Sequence, residues 1–174
     1  MKTAIINSVP YGSTGKIAYE IAKTAADEGD GVEIFYGYSG HPLDEIKNGN
    51  SVIGGKSGKA MHMLLSEMTG LIGCFSFFYT FKILRKLKKF RPDIIHLHNL
   101  HGWYINLPLL FGFIKKHNIK TVWTLHDCWA FTGHCPYFDI VGCNKWKTGC
   151  YGCPQYKEYP KSLFDNSKYM YRLK

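Results

Sequence analysis

A chain of 174 residues, 45% of them hydrophobic, can bury a core of its own, which excludes a disordered segment and a peptide-sized scaffold. Its formal charge of +9 favours an anionic partner and keeps nucleic acid, anionic lipid and phosphorylated substrates in view. No apolar run approaches the ~18 residues of a spanning helix, and MKTAIINSVPYG has too short an apolar stretch for a secretion signal, so the expectation is a cytoplasmic protein without a membrane span.

Thr3 to Asn7 (TAIIN) reads as a short buried strand, followed by a glycine-containing loop and by Ile17, Ile21 and Ala25 at helical spacing. A second strand at Val32 to Tyr36 follows Gly29 and Gly31, and this β-α-β order requires a right-handed crossover and a parallel pair. Residues 37–58, rich in Gly, Asn, Ser and Pro, read as loop with a short strand near Val52 and Ile53. Helical pattern runs from Ala60 to Phe90, broken near Gly70 and Gly73, until Pro92 stops it. Asp93 to Leu97 (DIIHL) supplies another strand, Trp103 to His117 a helix, and Lys120 to Leu125 the next strand, with Val122, Trp123 and Leu125 expected to be buried. Alternation of this kind predicts an α/β fold, a Rossmann-like doubly wound parallel sheet, over residues 1–174 as one domain.

Ligands of such sheets bind outside the carboxyl ends of the strands, which directs attention to three places. The first is GSTGK, Gly12 to Lys16, where a glycine loop opening a helix exposes backbone N–H groups at a positive dipole end. It is not a Walker A loop, since Pro10 stands where the first Gly belongs and Ile17 where Ser or Thr belongs; NSVIGGKS (Asn50 to Ser57) fails likewise at Asn50. A plain tight turn at Gly12 and Gly15 competes with a phosphate or sugar contact by Gly12, Ser13, Thr14, Gly15 and Lys16. The second place is the strand end carrying His96, His98, Asn99 and His101, and the third is the end carrying His126 and Asp127. Alternation sends His96 and His98 to one side of the sheet. A single buried histidine is usually a core residue, but two strand ends delivering His98, Asn99, His126 and Asp127 to one rim point to a site in which Asp127 could orient a His or raise its basicity.

Five of the six cysteines lie between Cys128 and Cys153. Without an export signal they are expected to be reduced or metal-bound. Cys150 and Cys153 form a CxxC, and Cys135 and Cys143 could complete a closed four-cysteine site for a structural zinc, with His134 able to replace one ligand; reduced thiols packed in a loop are the alternative, and thiol redox chemistry a weaker third. In Phe75 to Arg91, aromatics adjoin Lys82, Arg85, Lys86, Lys88, Lys89 and Arg91, a pattern that suits either a helix with a solvated cationic face or peripheral contact with an anionic membrane.

INSVPYGSTGKIAYEIA, RPDIIHLHNLHGWYIN, TVWTLHDCWAFTGHC and CNKWKTGCYGCPQYKEYPKSLFDNSK together resemble the N-terminal half of bacterial family 4 glycosyltransferases of the capsular and colanic-acid polysaccharide type. The resemblance implies the N-terminal, acceptor-side domain of a GT-B fold. It further implies a retaining transfer of sugar from a nucleotide-sugar donor to a saccharide or lipid-linked acceptor, with no catalytic cofactor or metal. It places Gly12 to Gly15 toward the donor phosphates and acceptor, His126 near the reacting sugar, and His98 and Asn99 in the acceptor loop. The family's nucleotide-sugar domain would follow Lys174, so the expectation is a truncated domain that is inactive alone. The competing reading is a non-catalytic, zinc-stapled module for a polyanion, with nucleic acid the weaker candidate because it leaves the glycine loop and the β-α alternation without a role.

Overall fold

The computed structural model describes residues 1–39 and 50–174; the part of the expected loop at 40–49 lies outside the described residues. Five parallel strands, β1 (Lys2–Asn7), β2 (Gly31–Tyr36), β3 (Asn50–Val52), β4 (Ile94–Leu97) and β5 (Lys120–Trp123), lie in the order β3-β2-β1-β4-β5. The direction of winding reverses between β1 and β4, so the loops after these strands diverge and leave a crevice at their carboxyl ends. This is the expected α/β, Rossmann-like sheet. The helices are α1 (Gly12–Asp27), α2 (Lys56–Thr69), α3 (Phe77–Phe90), α4 (Leu107–His117) and α5 (Ser167–Leu173).

The two-residue period of β1 divides the core between two layers. Ile5 packs with Ala18, Ala22 and Ala26 of α1, whereas Ala4 and Ile6 join Ile83 and Leu87 of α3 and Leu107 and Leu110 of α4 on the opposite face. Full burial of strand residues on both faces explains why the run reads as continuously apolar.

Several boundaries and faces differ from the expectation. The buried stripe of α1 is Gly15, Ala18, Ala22 and Ala26, while Ile17 is 44% exposed. Ile21 and Ala25 of the predicted stripe do pack against this core, beside the fully buried small residues; at Gly15 a Cβ would sit 2.4 Å from the Pro10 carbonyl carbon, so the first turn of α1 lies close against the loop after β1. The helical pair between 56 and 90 divides where the glycines predicted, with Gly70 as the left-handed C-cap of α2, but α2 begins earlier, at Lys56. The helix expected from Trp103 starts only at Leu107, because the Asn106 side chain caps Leu109 N–H (3.0 Å) and Pro108 occupies the first turn. Tyr104 instead packs over Gly37, where any Cβ would collide with its ring.

The strand at 120–123 is the edge of the described sheet, and the expected burial does not hold there: Val122 is 49% and Leu125 51% exposed, with only Trp123 half-buried. Val122 lies beside His96, which is in register with Ile5, so both face the side of the sheet on which α1 packs; α1 covers β1 and β2 and leaves this strip bare.

Candidate functional site at the strand ends

The bare strip carries a ladder of side chains that climbs off the sheet. His96 Nε2 lies 2.7 Å from Thr124 Oγ1, and one step further His98 Nδ1 lies 2.9 Å from His126 Nε2. The rings of His96 and His98 are 4.5 Å apart, so the alternation read from the sequence holds. The backbone fixes His98 on both sides: its N–H donates to Ile6 C=O (2.9 Å), and its C=O accepts from the Trp123 indole N–H (2.9 Å). Burial, aided by His96 and His126, drives the His98 imidazole down to about 3, so it is neutral at ordinary pH.

Asp127 does not turn toward its neighbour His126. One carboxylate oxygen accepts from Trp129 N–H (2.9 Å), and the other lies 3.4 Å from His101 Nε2. His101 is thus the histidine that Asp127 orients; burial lowers its pKa while the carboxylate opposes that shift. The His101 ring stands 5.2 Å from Trp129, whose other neighbour is Lys174, with its ammonium 3.6 Å from the indole centroid. The crevice between the two strand ends holds about 10 Å³, room for one water, so a larger ligand would lie over this rim and not within it.

Asn99 joins the rim through its backbone. Its N–H donates to Asn7 Oδ1 (3.3 Å), and Asn7 Nδ2 donates to Val9 C=O (3.0 Å), so one buried side chain couples the loop after β1 to the loop after β4. The loops also touch at Gly102, where a Cβ would lie 2.5 Å from Ser8 Cβ. Asn7 was not among the sequence candidates; the signal available was a single polar residue closing an apolar strand.

The glycine loop stands at the same end of the sheet, after β1. Gly12 is exposed at φ 70°, as a left-handed turn requires, whereas Gly15 lies within α1 and is buried against the Pro10 backbone, so packing and not a turn calls for glycine there. Ser13 and Lys16 are exposed and Thr14 half-buried. The N-cap of α1, Tyr11, makes no side-chain cap hydrogen bond to the helix.

The cysteine segment lies beyond β5 and is nearly all loop, with two three-residue 3-10 turns at Asp139–Val141 and Lys145–Lys147. Cys135, Cys143, Cys150 and Cys153 line one pocket, against Trp146 and Phe138. None of the six cysteines is in a disulfide. Cys135 and Cys153 share a thiol hydrogen bond, which lowers the first thiol's pKa and raises the second's. Among the described residues no three His, Cys, Asp or Glu side chains converge on one point as a ready metal site, so the thiols are gathered but not drawn into a coordination shell.

On the far layer, α3 buries Thr80, Ile83 and Leu87 and exposes Phe77, Phe78 and Phe81 together with Lys82, Arg85, Lys86, Lys88 and Lys89, and its C-cap Arg91 is exposed as well. Met61, Leu64 and Met68 of α2 are exposed as well, apolar surface outside the stretch singled out in the sequence. Among the described residues no helix is long and apolar enough to cross a membrane.

The pattern that defines Glycosyltransferase Family 4 matches residues 14–148, which include α1 from Thr14 onward, both histidine-bearing strand ends and the start of the cysteine loop. The chain is 41% identical over 81 residues to the Escherichia coli (strain K12) protein named "Putative colanic acid biosynthesis glycosyl transferase WcaC". That match covers 44% of this chain and 20% of the relative, so the shared part is about a fifth of the relative's length.

Proposed function

The chain belongs to glycosyltransferase family 4, and from that premise we propose that it forms the acceptor-side part of a retaining glycosyltransferase that builds a cell-surface polysaccharide. The donor would be a nucleotide sugar, bound mainly by a further domain, and the acceptor a saccharide, lipid-linked in the fullest form of the proposal. The observation that carries it is the His98–His126 pair beside the Asp127–His101 pair, four polar side chains on one rim at the carboxyl ends of β4 and β5, next to the winding reversal of the sheet.

In the reaction, a bond would form between the sugar's anomeric carbon and an acceptor hydroxyl oxygen while the bond to the diphosphate oxygen breaks; the electron pair leaves with the diphosphate, whose departing oxygen takes the acceptor's hydroxyl proton. Retention requires both events on one face of the sugar. His126 would touch the reacting sugar, His98 and Asn99 would border the acceptor, and Asp127 would act through His101. Gly12, Ser13, Thr14, Gly15 and Lys16 would meet the departing phosphates with backbone N–H groups, the helix dipole and one cation. A shallow rim that encloses one water fits this division of labour, since the sugar needs a second wall from elsewhere.

The test is transfer by the full-length protein, scored by the product formed from nucleotide sugar and acceptor. His126→Ala is expected to lower turnover ~10²- to 10⁴-fold with the fold intact. Turnover equal to the parent's would remove His126 from the mechanism.

Two accessory roles complete the proposal. The α2–α3 surface would rest on the cytoplasmic face of an anionic membrane, with Phe78 and Met61 toward the acyl boundary and Lys86 and Lys89 toward lipid phosphates, bringing the rim to a lipid-linked acceptor. Vesicles containing phosphatidylglycerol should retain the protein at low salt and release the Lys86→Glu/Lys89→Glu variant; absence of binding at low salt would end this part. Cys135, Cys143, Cys150 and Cys153 would close on a structural zinc, a reading supported by their sharing one pocket and opposed by the lack of a preformed coordination shell. Elemental analysis of protein purified without chelator decides it: one zinc per chain is expected, and a folded loop without metal excludes it.

A further inference from the structure

The pair of histidines at the rim raises a question that the sugar-transfer reading leaves open: which nitrogen of His126 carries the proton. We infer that His98 is a positioning residue that holds His126 in the tautomer protonated on Nδ1, so that His126 meets a bound oxygen as a hydrogen-bond donor and not as a general base. What His126 touches rests on the proposed function; the tautomer does not.

The geometry is that of a direct nitrogen-to-nitrogen hydrogen bond. His98 Nδ1 and His126 Nε2 are 2.9 Å apart, the ring centroids 5.2 Å apart, and the ring planes within 24° of each other. At that centroid separation the rings meet edge to edge, with the lone pair of one nitrogen aimed at the N–H of the other. Neutral imidazole has one N–H and one bare nitrogen, so only two arrangements are available.

In the first, His98 donates from Nδ1. Its Nε2 is then a bare lone pair, His126 accepts at Nε2, and the His126 proton stands on Nδ1. In the second, His126 donates from Nε2, the proton of His98 moves to Nε2, and His126 presents a bare Nδ1. The other nitrogen of His98 decides between them. His98 Nε2 is buried and has no hydrogen-bond partner among the described residues. A buried N–H without an acceptor is a rarer and costlier defect than an acceptor without a donor, and the second arrangement creates that defect. The first arrangement avoids it.

His98 cannot swing away to relieve the conflict. Its backbone is fastened to Ile6 and to the Trp123 indole, and its ring is only 1% exposed beside His96. His126, by contrast, is half-buried at the rim, and its Nδ1 makes no hydrogen bond with the described residues. The consequence is a directional device: a rigid, neutral histidine under the sheet edge sets the polarity of the histidine that faces the ligand.

The experiment is a long-range 1H–15N correlation spectrum of the histidine-labelled chain at neutral pH, without sugar or nucleotide. His126 is expected to show a protonated-type shift at Nδ1 and a bare-type shift at Nε2; a bare Nδ1 in the unsubstituted chain overturns the inference. His98→Asn retains an N–H donor near the Nδ1 position and is expected to preserve the His126 pattern. His98→Phe removes the donor and is expected to move His126 toward the Nε2-protonated form, and an unchanged His126 pattern in a folded His98→Phe chain also overturns it. Should His98→Phe not fold, the unsubstituted spectrum still decides. Because no turnover is read, a failure of the sugar-transfer proposal in the His126→Ala assay leaves this result standing, and the reverse holds as well.

Discussion

The histidine rim and the cysteine loop were both conspicuous as clusters of reactive residues, yet they are built in opposite ways. The rim hangs from β4 and β5, whose register with their neighbours places His96 beside Ile5 and Val122, and its side chains leave the sheet within four residues of the last ladder pair, Leu97 with Trp123. The loop from Cys128 to Asn166 has only two 3-10 turns of its own and is held by scattered bonds such as Lys145 Nζ to the Gly152 carbonyl (2.7 Å), Asp165 to Cys153 N–H (2.7 Å) and Thr132 Oγ1 to the Cys135 carbonyl (2.5 Å). A site on a sheet edge is preorganised by the core beneath it; a site in such a loop needs a crosslink to reach comparable order.

The sharpest way to break the contrast is to damage the core under the rim. Leu97→Ala removes a fully buried side chain next to His96 and His98, and should cost ~2–5 kcal/mol of stability by urea unfolding while the His98–His126 hydrogen bond loosens. A cost below ~1 kcal/mol would mean that the rim does not depend on this layer.

Acidification tests the burial of the histidines without substitution. Burial depresses His98 to about 3 and His62 to about 4, both below the ordinary histidine value of 6.5, so the unfolded chain binds protons that the folded chain refuses. Stability from these two groups is complete above pH 6.5 and is lost as pH falls through that value toward 4. Urea midpoints measured from pH 7.5 to 5 should therefore fall with acidification, and His62→Gln should reduce the slope by up to one proton. A flat profile would place both imidazoles in contact with water.

A smaller effect is expected at Asn106, whose side chain caps α4 and also donates to the Cys74 carbonyl, joining the loop between α2 and α3 to the helix beside the rim. Asn106→Ala should cost ~1–2 kcal/mol. The smallest effect on the whole fold belongs to the loop. Cys135→Ser should change global stability by less than ~1 kcal/mol yet speed proteolytic cleavage within 128–166, since local opening needs little of the sheet to move. If cleavage is unchanged and global stability collapses, the loop belongs to the core and the contrast drawn above is wrong.

Much of this was legible in the residues. Short apolar runs bounded by Gly, Pro and charged positions marked β1, β2, β4 and β5; in β1 the run is unbroken because a strand buried on both faces has no polar period to obscure it. Polar residues placed directly after those runs marked the rim. Less legible were the face of α1, where small residues take the fully buried positions, and the start of α4, where a cap and a proline outweighed the apolar pattern that precedes them. The exposure of Val122 and Leu125 was hidden because an apolar run looks the same on an edge strand as in the middle of a sheet.

The sequence by itself determined the order of elements, the parallel sheet and the strand ends at which chemistry would collect, since periodicity and turn residues act over a few neighbours at a time. Only the tertiary structure decided which of those residues meet. His98 and His126 are 28 positions apart and Asn99 and Asn7 are 92 apart, and Asp127 bypasses the histidine beside it for His101. Such pairings follow from the register of β1, β4 and β5, a property of strands laid side by side that no single stretch of chain encodes.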